Sequence, residues 1–264
     1  TKKTRAVFSS PVLGNPYDFD KLREICQKHN ISIISDNCDS LGSKWDNKYL
    51  TDFSIAASCS FYPAHHLTTM EGGMVSSNDE EFIKLARSLA WWGRACYCVG
   101  RQNLLPNGTC KKRFNKWIPD CEDIVDHKYV FENVGYNLKP LDLQGAIGIV
   151  QLEKFDEIEK LRRNNKLRMD AIFEAIPGVR SIAEHEKAET SWFGAPYVCE
   201  TPELKTKLVA HLESNRVQTR NYFAGNLLMQ PAYKQFGNWK DFPEASQVLS
   251  KVFFVGVSPT ISNE

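Results

Sequence analysis

Ser60-Phe61-Tyr62-Pro63-Ala64-His65-His66-Leu67-Thr68-Thr69-Met70-Glu71-Gly72-Gly73 decides how the rest of this 264-residue chain is read. It follows Ser54-Ile55-Ala56-Ala57-Ser58-Cys59, a small and apolar run that reads as a buried strand. It ends in a glycine pair where the backbone can turn sharply. Polar chemistry therefore stands on a turn at a strand end. A histidine in such a place is by default a packed structural group, and becomes a candidate base only when its surroundings supply the rest of a site.

Working outward, Ala6-Val7-Phe8 and Ile31-Ser32-Ile33-Ile34-Ser35 read as strands, the second almost continuously apolar as a central parallel strand should be. Between them, Tyr17 to Asn30 has helical spacing, with Phe19, Leu22, Ile25 and Cys26 on one face. Strand, helix, strand signals an α/β layered sheet whose ligands bind at the carboxyl ends of strands, where Asp36 stands. Asp79 to Trp91 reads as an amphipathic helix and Leu141 to Leu161 as one long helix. From Gly93 to Val134 roughly forty residues show no period, which in a compact domain marks a functional loop. Past Arg162-Arg163-Asn164-Asn165-Lys166 come strands at Val179 to Ile182, Ala195 to Cys199 and Val217 to Tyr222, with a helix from Pro202 to Asn215. The expected organisation is a large α/β domain over residues 1–160 and a small α+β domain over 161–264.

A composition 42% hydrophobic and 25% charged is that of a globular chain. The net charge of +1, with no basic stripe, argues against nucleic acid and anionic membrane as partners. No apolar run approaches the roughly 18 residues that span a bilayer, and the chain reads as cytoplasmic. Eight cysteines are too few for a disulfide scaffold and invite a metal or redox reading. The opening at Thr1 on a strand that needs neighbours suggests a fragment lacking the first helices, several central strands and part of a phosphate-binding loop.

The run from Ser60 to Gly73 resembles the cofactor-anchoring segment of the sugar aminotransferase (DegT/DnrJ/EryC1/StrS) family, which has the aspartate aminotransferase fold (fold type I) and uses pyridoxal phosphate (PLP). Position 65 is normally lysine there, and an imidazole cannot hold the cofactor covalently. The wording Ser-Phe-Tyr-Pro-Ala-His-His is similar to one branch, the CDP-4-keto-6-deoxyglucose 3-dehydrases, which use pyridoxamine phosphate (PMP) with histidine as the base. The resemblance makes His65 catalytic. It assigns Asp36 to the pyridine nitrogen, Asp39 to the neighbourhood of the ring hydroxyl, and Ser60 to the cofactor site. Asn137, in Gly135-Tyr136-Asn137-Leu138-Lys139-Pro140, is implied to reach the cofactor phosphate of a neighbouring subunit in a homodimer. Ser191-Trp192-Phe193-Gly194 and Phe223-Ala224-Gly225-Asn226 resemble segments near the sugar nucleotide, making Phe223 and Asn226 substrate candidates. Where the family has glycine this chain has Met70, so a positive φ there would be strained.

Cys38, Cys96, Cys98 and Cys110, separated by 57, one and 11 residues, resemble the 2Fe–2S ligand set of the same branch, the last gap being longer here. A zinc site on the same thiolates and unliganded cysteines stay open as alternatives. The implied activity is removal of the C3 hydroxyl from a CDP-linked 4-keto-6-deoxy hexose, His65 moving the proton. A partner reductase carrying flavin and iron–sulfur and using NAD(P)H would deliver electrons through the cluster. The alternatives are a cluster-free GDP-sugar 3-dehydratase, a sugar aminotransferase relative, and a non-catalytic metal-carrying fragment.

Overall fold

The computed structural model describes residues 1–96, 113–115 and 118–261. Its first unit is the expected one: β1 (Ala6–Ser9), α1 (Phe19–His29) and β2 (Ser32–Asp36), with β1 and β2 parallel and Ala6 opposite Ser32. The Asp18 carboxylate caps α1 by accepting the Lys21 N–H at 3.0 Å, and left-handed Asn30 ends it. A short hairpin, β3 (Lys44–Trp45) and β4 (Lys48–Tyr49), turns through Asp46 and Asn47, both at positive φ. β5 (Ala56–Ser60) then pairs parallel to β2, and β6 (Gly73–Ser76) pairs antiparallel to β5, completing a sheet of order β1-β2-β5-β6.

Helix α2 (Glu80–Ala90) is capped by Asp79, which accepts the N–H groups of Glu81 and Phe82. The single long helix expected from Leu141 is two: α3 (Asp142–Glu153) and α4 (Phe155–Phe173), broken at Lys154. The break seats Phe155 on Gly42, where a Cβ would stand 2.7 Å from the ring. Packing at that glycine overrides an unbroken helical period. α4 then runs uninterrupted across residues 160 and 161 and joins the two sheets.

The second sheet is antiparallel throughout. Its elements are β7 (Val179–Ser181), a separate strand β8 (Ala188–Glu189), β9 (Gly194–Cys199), α5 (Pro202–Ser214), β10 (Thr219–Asn221), α6 (Pro243–Lys251) and β11 (Val252–Gly256), in sheet order β10-β11-β9-β7. α6 and β11 went unforeseen because Val252-Phe253-Phe254-Val255 follows the helix with no Gly or Pro to mark a boundary. The core lies here: Phe173 of α4 stacks on Tyr197 at 4.0 Å between centroids and meets Phe253 at 5.9 Å. β8 leaves this unit to pair with β3, Lys44 opposite Glu189, in a third sheet of order β4-β3-β8, so residues 184–193 strap the second unit to the first. No helix among the described residues is long and apolar enough to cross a membrane.

Candidate active site

Parallel pairing of β2 with β5 brings their carboxyl ends side by side, Asp36 opposite Ser58. Asp36 Oδ1 accepts the Cys38 N–H at 3.1 Å and the Ser58 hydroxyl at 3.0 Å, which fixes the carboxylate at the sheet edge. Ser60 ends β5, and its Oγ accepts the Tyr62 N–H at 3.2 Å. The turn after Asp36 is held by buried Asn37, whose Oδ1 takes the hydroxyls of Ser35 and Ser40. That turn delivers Asp39 to the same edge, beside Leu13, a buried residue held left-handed at φ 53. Burial pushes the Asp39 carboxyl up, against the lowering by His65 and the Leu13 N–H.

His65 faces that carboxylate, with Nε2 at 3.7 Å from Asp39 Oδ1. Its Nδ1 is buried with no hydrogen-bond partner among the described residues. Tyr62 and Phe193 meet the imidazole edge-on at 5.8 and 5.4 Å. His66, one residue on, is a different object: Nε2 donates to the Ser191 carbonyl at 2.9 Å, and burial followed by the charge of Arg162 drives its pKa down to about 3. One histidine serves the site and its neighbour latches the strap over it.

The strap supplies Phe193, whose N–H donates to the Leu13 carbonyl at 3.0 Å, while the Ser191 N–H donates to Ser43 Oγ at 2.9 Å. Arg162, only 6% exposed, donates from Nη1 to the carbonyls of Trp192 and Phe193 and keeps a buried Nε with no partner among the described residues. Beside His65 opens a cleft of about 680 Å³ whose walls include Pro63, Ala64, Arg162, Phe193, Arg220 and Phe223, with no carboxylate among its described lining residues. Phe223 is left-handed at φ 51 and packs on Phe254 at 5.9 Å. Burial and the charge of Asp39 push the neighbouring Tyr222 phenol up to about 12.

His65, Asp36, Asp39 and Ser60 are thus brought to one sheet edge, and Phe223 to the adjoining cleft. Asn226 is buried, its amide donating to the carbonyls of Trp239 and Phe242 and to Ser246 Oγ, so it organises the loop behind Phe223. Asn137 is exposed and bridges to Trp91. Cys38 is half-buried behind Asp36, its thiol pushed up to about 12 by burial and that carboxylate, and Cys96 is half-buried as well. Cys98 and Cys110 lie outside the described residues, and among those described no group of three or more metal-binding side chains comes together. Met70 has φ 70, the strained geometry anticipated for a glycine position. Arg162, Arg220 and Leu13 escaped sequence reading. Arg162 opens the polar run Arg162-Arg163-Asn164-Asn165-Lys166, which carries no local mark of burial, and nothing local marks a leucine for positive φ.

Several curated relatives match the whole chain, two of them as follows. It is 35% identical over 269 residues to the dTDP-4-dehydro-2,6-dideoxy-D-glucose 3-dehydratase of Saccharopolyspora spinosa, of which it covers 57%. It is 34% identical over 273 residues to the lipopolysaccharide biosynthesis protein RfbH of Salmonella typhimurium, of which it covers 61%. The chain therefore spans about three-fifths of the length of these relatives. Among solved structures, Escherichia coli GDP-4-keto-6-deoxy-D-mannose-3-dehydratase with bound hydrated PLP superposes with a TM-score of 0.81 at 26% identity, over 98% of this chain and 64% of that one. With residues 1–264 matching throughout, and an aspartate and a histidine set at the carboxyl edge of a parallel sheet, the chain belongs to the DegT/DnrJ/EryC1/StrS aminotransferase family.

Proposed function

We propose that the protein is a PMP-dependent 3-dehydrase acting on a nucleotide-linked 4-keto-6-deoxy hexose, CDP-linked in the reading favoured by the sequence. The observation that carries this is His65 at the end of the β5 turn, its Nε2 3.7 Å from Asp39 and its Nδ1 buried with no partner among the described residues. The donor set suits a pyridoxal-type cofactor. Asp36, fixed by two donors, is a carboxylate ready for a protonated ring nitrogen, and Asp39 and Ser60 flank it. When bound, PMP supplies an amine that condenses with a ketone and a ring that spreads negative charge. His65 moves the proton, Asp39 steadies the imidazolium that results, and Phe193 and Tyr62 exclude water from the ring. The guanidinium groups of Arg162 and Arg220, in a cleft without carboxylates, suit the phosphates of a nucleotide sugar.

In the same proposal Cys38, Cys96, Cys98 and Cys110 hold a 2Fe–2S cluster that relays electrons from an NAD(P)H-dependent flavin and iron–sulfur reductase, in the cytoplasm. The working form is a homodimer. None of the residues of α3 is buried although its sequence is largely apolar, and Val134 nearby is 96% exposed, so this face calls for a cover of the kind a second copy supplies. The resemblance to GDP-sugar enzymes favours a second reading, the same His65 chemistry without iron.

Two measurements test this. Borohydride treatment of the PLP-loaded protein followed by mass spectrometry is expected to find no covalent cofactor, and His65→Lys to create one. An adduct on the unaltered protein would place the cofactor on another lysine and end the His65 assignment. Iron and acid-labile sulfide are expected in the purified protein and lost in Cys98→Ser. Their absence from the wild type, with dehydration retained, selects the cluster-free reading.

A further inference from the structure

Lys205 is a buried cation with no carboxylate to match it. It lies on α5 at 8% exposure and forms no ion pair among the described residues. Its ammonium donates to Asn221 Oδ1 at 2.9 Å and to the Leu249 carbonyl at 2.6 Å, tying α5 to β10 and α6. An uncompensated ammonium in the interior is costly, and a methionine of similar length would fill the same space. The lysine therefore needs a reason, and the geometry of its partner offers one.

An ammonium only donates, so the Asn221 oxygen must face it, and the planar amide then turns its two N–H donors the other way. Asn221 is exposed at the end of β10 and lines the 680 Å³ cleft beside Arg220 and Phe223. Its Nδ2 donates to no group among the described residues. A free asparagine can present either its oxygen or its nitrogen to a ligand; this one is held to the donor face. Among its described lining residues the cleft has no carboxylate, and the charged groups there, Arg162 and Arg220, already favour acceptor oxygens.

We propose that Asn221 is a specificity-determining contact for the sugar nucleotide, donating to one of its acceptor oxygens, and that Lys205 is the positioning residue that fixes the direction of the amide. This rests on the nucleotide-sugar reading above. Asn221 thereby selects a ligand with an acceptor at that point and rejects one offering a donor, because the rejected ligand leaves the amide N–H unmatched.

The test is a double-mutant cycle read by titration calorimetry on the PMP-loaded full-length protein, with CDP-glucose, dTDP-glucose and GDP-mannose as probes and the tightest of them carried forward. Asn221→Leu and Lys205→Met are each expected to weaken binding about five- to tenfold, with the loss in turnover falling on KM more than on kcat. In the Asn221→Leu background, Lys205→Met is expected to add less than twofold, since the lysine acts through the amide. Lys205→Arg should restore part of the loss. Where Lys205→Met does not fold by circular dichroism, Asn221→Asp replaces it: it keeps the lysine contact, removes both donors and is expected to bind at least as weakly as Asn221→Leu. Unchanged affinity in Asn221→Leu, tighter binding in Asn221→Asp, or a full additional loss from Lys205→Met in the Leu background overturns the assignment and leaves the nucleotide-sugar reading standing. Failure of the wild type to bind any of the probes overturns both.

Discussion

The two four-stranded sheets handle the same apolar residues in opposite ways. In the antiparallel sheet, β11 is buried from Val252 to Val255, Phe253 is 0% exposed, and Phe173 and Tyr197 close over it. In the parallel sheet, Phe8 of β1 is 66% exposed and Met74 and Val75 of β6 are half exposed, while the polar ends of β2 and β5 carry Asp36, Ser58 and Ser60. The antiparallel sheet is a finished core, whereas the β1-β2-β5-β6 sheet is a platform with polar residues along one edge and apolar side chains left exposed. The strap at residues 184–193 joins them, so the site is built where the rigid unit reaches over the open one.

That contrast is broken or sharpened most strongly at the adjacent histidines. His65→Asn is expected to lower dehydration by about 10²- to 10⁴-fold, the usual worth of a positioned base, with PMP still bound as judged by its absorbance. His66→Asn should retain most turnover while lowering stability, because His66 works through the strap. Equal activity losses in the two variants would erase the distinction between them.

Next in size is the core. Phe253→Ala should cost about 3–5 kcal/mol in urea unfolding and Phe8→Ala under about 1 kcal/mol in this chain. Similar costs at both would mean that the parallel sheet is covered as completely as the antiparallel one.

The seam has its own pH signature. Folded His66 has a pKa near 3 against an ordinary value of 6.5, so the unfolded state binds the extra proton. Its contribution is fully present above about pH 6.5 and is lost as pH falls toward 3, worth up to a few kcal/mol by linkage. Unfolding midpoints measured from pH 7 to pH 4 should fall for the wild type and fall less steeply for His66→Gln. Parallel curves would remove His66 from the seam.

The smallest effect belongs to the turn below His65. Met70 is left-handed and half exposed, so Met70→Gly relieves strain while adding freedom to the unfolded chain, for a net gain under about 1 kcal/mol by thermal melt. A loss of stability would show that the methionine side chain packs on something in the working protein.

Local pattern was enough to read β1, α1, β2, β5, α2 and most of the second unit, because each is a continuous periodic segment bounded by Gly, Asn or a capping Asp. It placed Asp36 and His65 at strand ends, and the family resemblance, not the local pattern, singled them out as site residues. The glycine position at Met70, where φ is 70, likewise came from the resemblance. What only tertiary structure decided depends on contacts far apart in the chain: the break at Lys154, made by Phe155 reaching Gly42; the pairing of His65 with Asp39; and the burial of Arg162 beneath Trp192 and Phe193. The same holds for the division of labour between His65 and His66. Two identical side chains one residue apart differ because the backbone turn points one at a carboxylate from the turn after β2 and the other at a carbonyl 125 residues away, and no local sequence signal encodes a direction in space.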